Sequence, residues 1–209
     1  SWTDLRRMNT LLEYADMCED KEAVTKYTAV TRFFRAFFYF EKVKRFGDVP
    51  WYDIQLGSAD ELLYKPRDSR ELILTKMLED IDYAINSGGL TESAADPYHV
   101  NKWAALALKA QFCLYEGTYR KYHNLNLDGH DANFYLDLAA KAALEIIEKG
   151  PYKLYQTGHP EKDYLTLFAQ KDASPEEYIL AIKFDYAIGA RHNASAYTLL
   201  PTQGRPGLT

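Results

Sequence analysis

The sequence predicts an all-α chain in which helices pair into hairpins, the hairpins stack, and long loops are inserted between them. Three observations carry this. Apolar residues recur in steps of three and four over several separate stretches, Gly and Pro gather between those stretches, and one stretch is too apolar for a surface helix. That stretch is KEAVTKYTAVTRFFRAFFYFEKVKRF, Lys21 to Phe46, which has no internal Gly or Pro. As one helix it is about 39 Å long at 1.5 Å per residue. Val30, Phe33, Phe37 and Phe40 make one apolar row, and Tyr27, Val30, Phe34 and Phe38 a second. The stripe is wider than one buried face requires, so the helix is expected to have neighbours on two sides, with the phenylalanines from 33 to 40 in the core.

The other elements follow in order. Leu5, Met8, Leu12 and Ala15 mark an amphipathic helix over residues 2 to 19, and the near absence of a linker folds it back on the long helix as an antiparallel hairpin. Gly47 and Pro50 in FGDVP stop the long helix. Periodicity then fails as far as Pro66, and a loop of this length inside a compact domain points to function. Asp68, with Glu71 three residues on, reads as a capping box opening a helix whose Leu72, Ile73, Met77, Leu78, Ile81 and Ile85 are buried, until Gly88 and Gly89 end it. Asn101 is the expected N-cap of KWAALALKAQFCLYEGTYRKY, whose Ala104, Ala107 and Ala110 allow a close neighbour. FYLDLAAKAALEIIEK ends at Gly150 and Pro151. Beyond it TLF reads as a helical turn, and the alternation in Glu177 to Phe184 predicts a short strand as the minor extended segment. No regular element is expected from Gly189 onward.

These elements amount to one helical-repeat domain over 1–209, with helical units at 1–46, 68–120 and 133–149 and a mostly irregular remainder over 150–209. The chain begins SWTDLRR and stops at GRPGLT, which reads as a piece of a longer protein. A formal net charge of −5 gives no general attraction for phosphate backbones, so nucleic acid is not an expected partner. No apolar run approaches the roughly 20 residues that span a bilayer. Two cysteines exclude a disulfide framework, and both Cys18 and Cys113 sit in apolar helical contexts suited to small buried thiols.

Arg35-Ala36-Phe37-Phe38-Tyr39 and Lys109-Ala110-Gln111-Phe112, with Tyr115 close by, place a basic residue, a small one and large aromatics on the second helix of two hairpins. The repeat unit is therefore a helix hairpin, in an irregular tetratricopeptide-like array with loop insertions rather than a strict 34-residue one. These blocks also carry a family resemblance. RRMNTLLEYA, TRFFRAFFYFEKVKRFGDVPWYD, RDSRELILTKMLEDIDYAI, VNKWAALALKAQFCLYEG and AAKAALEIIEKGPYKLY resemble successive segments of the SusD/RagB family. The Arg-Ala-aromatic helix followed by Phe-Gly-Asp-x-Pro, Arg35 through Pro50, is the most specific match. The resemblance runs from about Arg6 to Tyr186. It implies a surface-exposed outer-membrane lipoprotein that captures a glycan or peptide nutrient and docks on a SusC-like TonB-dependent transporter. Measured against the family, the chain is expected to lack the lipid-anchored N-terminal segment and a long C-terminal part, so that a lipid anchor outside this chain is the expected membrane attachment.

Nothing in the residues points to catalysis. There is no HExxH, no phosphate-binding Gly loop, no GxSxG and no close Cys–His pair, so neither catalytic residues nor a cofactor are expected. His99, His123, His130, His159 and His192 are scattered over loops, and Glu79, Asp80 and Asp82 read as a solvated helix face. Asn124, Asn126, Asp128 and Gly129 imitate the start of a calcium loop. Position twelve is Tyr135 instead of a bidentate Glu, so an Asx-rich turn is the reading and no metal is expected. Arg32 and Arg35 are expected to pair with carboxylates of an adjacent helix.

The candidate ligand-binding residues are the loop aromatics Trp51, Tyr52, Tyr64 and Tyr98, whose flat rings can stack on the apolar face of a sugar while Asp53 and Gln55 take hydroxyls. Each can instead anchor its loop to the core. For Trp51, which follows a turn-fixing proline, anchoring has the stronger case. The resulting expectation is non-catalytic nutrient capture, most naturally of an oligosaccharide, and delivery to the transporter. The alternatives are a helical-repeat adaptor for a protein or peptide, expected to show a groove lined by Asn, Lys and Arg, and a hydrolase accessory domain.

Overall fold

The long stretch is one unbroken helix. In the computed structural model, which describes residues 1–185, 187 and 189–191, α1 spans Trp2–Tyr14, α2 Lys21–Phe46, α3 Arg70–Asn86, α4 Lys102–His123, α5 Ala132–Lys149 and α6 Pro160–Ala169. Asp20, Ser69, Asn101 and Asp131 cap the N-termini of α2 to α5, each side chain accepting a first-turn N–H. Gly47, at φ 69°, closes α2 with its N–H on the Val43 carbonyl.

Successive helices α1 to α5 pack antiparallel in chain order. Trp2, at the start of α1, meets Phe38 near the end of α2. Gly89, just past α3, passes so close to the start of α2 that a Cβ there would stand 2.4 Å from the Thr25 carbonyl oxygen. Lys109 of α4 reaches Asp82 of α3 at 2.6 Å. A Cβ on Gly117 of α4 would stand 2.7 Å from Leu136 Cγ of α5. The core is continuous from Leu5 through Phe33, Tyr39, Met77 and Phe112 to Tyr135. A tetratricopeptide-like helical stack with inserted loops is therefore the fold.

Several expectations are corrected. α1 ends at Tyr14 in a short 3-10 turn over Ala15–Met17, because the hairpin reverses there. Ser69, not Asp68, caps α3, since Asp68 pairs with Val49 and accepts the Trp51 N–H at 2.7 Å. TLF belongs to the ten-residue α6, begun by Pro160. The expected strand at Glu177 to Phe184 is irregular. Leu180 and Ile182, on the side predicted to be buried, are exposed, and the Ala181 N–H to the Pro97 carbonyl is a single bond rather than a ladder. Phe34 and Phe37 are exposed on α2, because its second neighbour covers less of that side than the stripe implied. Of the segment from Gly189 onward, Gly189–Arg191 are described, and Ala190 forms an isolated bridge with Asp185. His192 lies outside the described residues. Among the described residues no helix is long and apolar enough to cross a membrane.

Cys18 also departs from expectation, since it is exposed beyond the 3-10 turn, whereas Cys113 is buried. Burial pushes the Cys113 thiol up to about 12. Thiolate is the reactive form. A thiol reagent is therefore expected to label one cysteine per native chain, Cys18, and both after denaturation; rapid native labelling of Cys113 would contradict this packing.

Candidate functional site

The loop between α2 and α3 is held by named bonds rather than by regular structure. Asn9 of α1 donates through Nδ2 to the carbonyls of Tyr52 and Ile54, at 2.9 and 3.1 Å. Thr10 donates to Gln55 Oε1 at 2.7 Å, and Glu13 accepts the Gln55 N–H at 3.2 Å. From α2, the Tyr39 hydroxyl accepts the Tyr52 N–H at 2.7 Å, and its burial raises its pKa above the ordinary tyrosine value. At the far end Asp68 accepts the Trp51 N–H and an ion pair from Lys65 at 2.7 Å. Partial burial works against ionisation of Asp68, but the Lys65 ammonium and the Trp51 N–H outweigh it and leave the carboxyl below its ordinary value. This clamp is therefore intact above the usual carboxylate range and loosens as pH falls below it.

Between α1 and this loop lies a hollow of about 520 Å³, within the range of about 300–1,000 Å³ usual for small-ligand sites. Trp2, Thr3 and Arg6 line its α1 wall, and Tyr52, Ile54 and Leu63 are among its loop residues. Trp2 is 44% exposed and meets the Tyr52 ring edge-on at 5.9 Å. The Tyr52 hydroxyl donates to the Leu62 carbonyl at 3.0 Å, which ties the ring to the 3-10 turn Glu61–Tyr64. Among the described residues its lining is aromatic, aliphatic and hydroxyl side chains with Arg6 and Asn9, groups suited to stacking and hydrogen bonding.

The structure brings together some of the residues read from sequence and separates others. Tyr52 lines the hollow, and Tyr64, 86% exposed, stands on the turn that Tyr52 supports. Trp51 is 6% exposed and stacked on Tyr39 at 4.2 Å, so its ring anchors the loop. Tyr98 lies elsewhere, on a separate hollow with Asp172, where its hydroxyl donates to Asp172 Oδ1 at 3.3 Å and accepts the Ala173 N–H at 2.8 Å. Trp2 and Arg6 were missed. They stand one helical turn apart on α1, off the buried row of Leu5, a spacing that puts them on one face without marking it as a site.

Asn124, Asn126 and Asp128 do form a turn. Asn124 is the left-handed C-cap of α4, and Asp128 and Gly129, both at positive φ, close a tight turn between Leu127 and His130. Two buried ion-pair networks also replace what sequence suggested. Asp80, 2% exposed, accepts Arg35 at 2.6 and 2.8 Å, with Arg32 at 3.7 Å, so it is not part of a solvated face. His130 is half-buried and bonded to Glu71, which also holds Arg120.

Residues 1–102 match the model of the SusD-like family described as starch-binding and associating with the outer membrane. Over that half the chain is similar to the SusD-like family. A SusD-like protein from Bacteroides fragilis is 27% identical, with a TM-score of 0.64, over 84% of this chain and 30% of that one. A SusD superfamily protein from the same species has a TM-score of 0.73 at 17% identity, over 92% of this chain and 37% of that one. A structure solved with a xylogluco-oligosaccharide has a TM-score of 0.66 at 22% identity, over 88% and 34%. At those lower identities the last two attest the fold. The chain thus spans about a third of the length of the solved structures it matches. No curated protein matches it.

Proposed function

We propose that this chain is the helical scaffold of a non-catalytic protein that captures a glycan at the cell surface and passes it to a TonB-dependent transporter in the outer membrane. The observation that carries the reading is the hollow between α1 and the inserted loop. Two aromatic rings, Trp2 and Tyr52, meet there at right angles on a loop fixed by Asn9, with Tyr64 displayed beside it. A ring offered edge-on and face-on to a pyranose contributes apolar contact, and the nearby Thr3 and Ser58 hydroxyls are available to its polar rim. Fixing the walls beforehand reduces the ordering cost of binding. The family description and the oligosaccharide in a structural relative support a sugar as ligand. An adaptor groove lined by Asn, Lys and Arg is favoured less, because the hollow holds one Arg and its Asn is committed to the loop backbone.

The test is affinity electrophoresis and calorimetry of the intact protein against a polysaccharide panel, with co-purification of a barrel transporter. Trp2→Ala is expected to weaken binding by about tenfold, in line with the roughly 0.5–1.5 kcal/mol of an aromatic contact plus its buried area. Tyr52→Phe, which keeps the ring, is expected to bind nearly as the parent does. Failure of the intact protein to bind any glycan, or full affinity in Trp2→Ala, would overturn the proposal.

A further inference from the structure

We infer that the sugar taken by this hollow is an acidic one, bearing a carboxylate or sulfate group. The inference rests on the glycan-capture reading above and adds the charge class of the ligand. In a chain of net charge −5, the described residues line the hollow with one charged side chain, Arg6, and with no carboxylate. Arg6 is exposed and, among the described residues, has no ion pair or side-chain hydrogen bond, whereas its neighbour Arg7 lies 3.8 Å from Asp4. Several acids close in sequence to the wall are engaged or line another hollow. Asp4 lies 3.8 Å from Arg7, Glu13 accepts from the Gln55 backbone, Asp60 caps the turn at Leu62, and Asp53 lines the adjoining hollow with Arg32 and Asp80.

A second cation backs the same aromatic wall. Lys42 Nζ sits 5.8 Å from the Trp2 ring centre and 5.1 Å from that of Phe38, with no ion pair among the described residues, in a hollow it shares with Asp4 and Glu41. Trp2 therefore stands one helical turn from Arg6 and within reach of a second cation. A guanidinium presents a planar fork that matches carboxylate and sulfate oxygens two at a time, one helical turn from a ring able to stack on the sugar that bears them. A neutral sugar would leave that fork in water and gain nothing from it. An anionic one converts it into charge-assisted bonds beside low-dielectric aromatic walls.

The experiment compares the intact protein in native affinity gels containing a neutral galactan, a polygalacturonate or a sulfated galactan, with calorimetry on oligomers of each. The expected result is tighter binding of an anionic polymer than of the neutral one, weakening as salt is raised. Arg6→Gln should lose about tenfold on the anionic polymer and little on the neutral one, and Arg6→Lys should recover part of the loss. Whichever anionic arm binds identifies the group. Equal binding of neutral and anionic polymers, with Arg6→Gln unchanged, overturns the inference and leaves glycan capture standing. If no polymer binds, the capture reading itself falls. Arg6 is exposed, so the variants should melt as the parent does, and a matching melt ties the loss to the site.

Discussion

Glu116→Ala is expected to destabilise the fold by about 3–5 kcal/mol, the usual cost of removing one partner from a buried ion pair. Glu116 is fully buried on α4 and is the shared acceptor of two guanidinium groups. Arg70, in the first turn of α3, donates to it at 2.6, 2.8 and 3.0 Å, and Arg120, four residues further along α4, donates at 2.8 Å. Truncation would leave Arg70 buried without its carboxylate, beside the rings of Tyr119 at 3.9 Å and Tyr115 at 5.9 Å. Arg120 would keep Glu71 and the His130 carbonyl. Since a domain of this kind is stable by about 5–15 kcal/mol, the loss is a large share of the total. At roughly 2–4 °C per kcal/mol for 150–250 residues, the melting midpoint should fall by about 6–20 °C. Glu116→Gln, which keeps an acceptor, should fall less. A circular dichroism melt in which Glu116→Ala stays within about 2 °C of the parent would show that the network adds little.

That network also marks where reading the sequence stopped. Helices were legible because they are local: the three-and-four rows of α2, the Asn101 cap and the Gly47 stop each need a few neighbouring residues. The tertiary partner of a charge is not local. Arg35 and Asp80 are 45 residues apart, and Arg70 and Glu116 are 46 apart. In the run Glu79-Asp80-Ile81-Asp82, nothing about Asp80 itself distinguishes the carboxylate that enters the core. The guide was Arg35, already expected to seek an acid on the adjacent helix. The strand expectation failed because the segment packs on the helices through the consecutive Tyr178 and Ile179, while the alternating Leu180 and Ile182 stay exposed. At the site, the inserted loop was legible from its length and aromatics, but the opposing wall was not. Trp2 and Arg6 sit in an amphipathic helix, where an exposed residue has no local sign that a loop will fold over it.

Asp80→Ala should damage both stability and the site, because Asp80 begins a chain of contacts that ends at the hollow. Its carboxylate grips Arg35 through two bonds; Arg35 donates from its remaining nitrogen to Asn9 Oδ1 at 3.2 Å; and Asn9 Nδ2 holds the Tyr52 and Ile54 carbonyls. Without Asp80, Arg35 is a buried cation with no carboxylate, at a cost of about 3–5 kcal/mol. It is also free to leave Asn9, so the loop wall loses its fixed orientation. Affinity for the captured sugar, measured per folded molecule, should then drop by about three- to tenfold, the ordering cost of a few side chains. The paired variant Arg35→Met with Asp80→Leu separates the two effects. Apolar replacement of a buried ion pair is often neutral, so stability should return toward the parent's. Binding should stay weak, since Asn9 Oδ1 still lacks its donor. If the double variant instead binds the sugar as the parent does, the ion pair serves the core alone, and Asn9 holds the loop without Arg35.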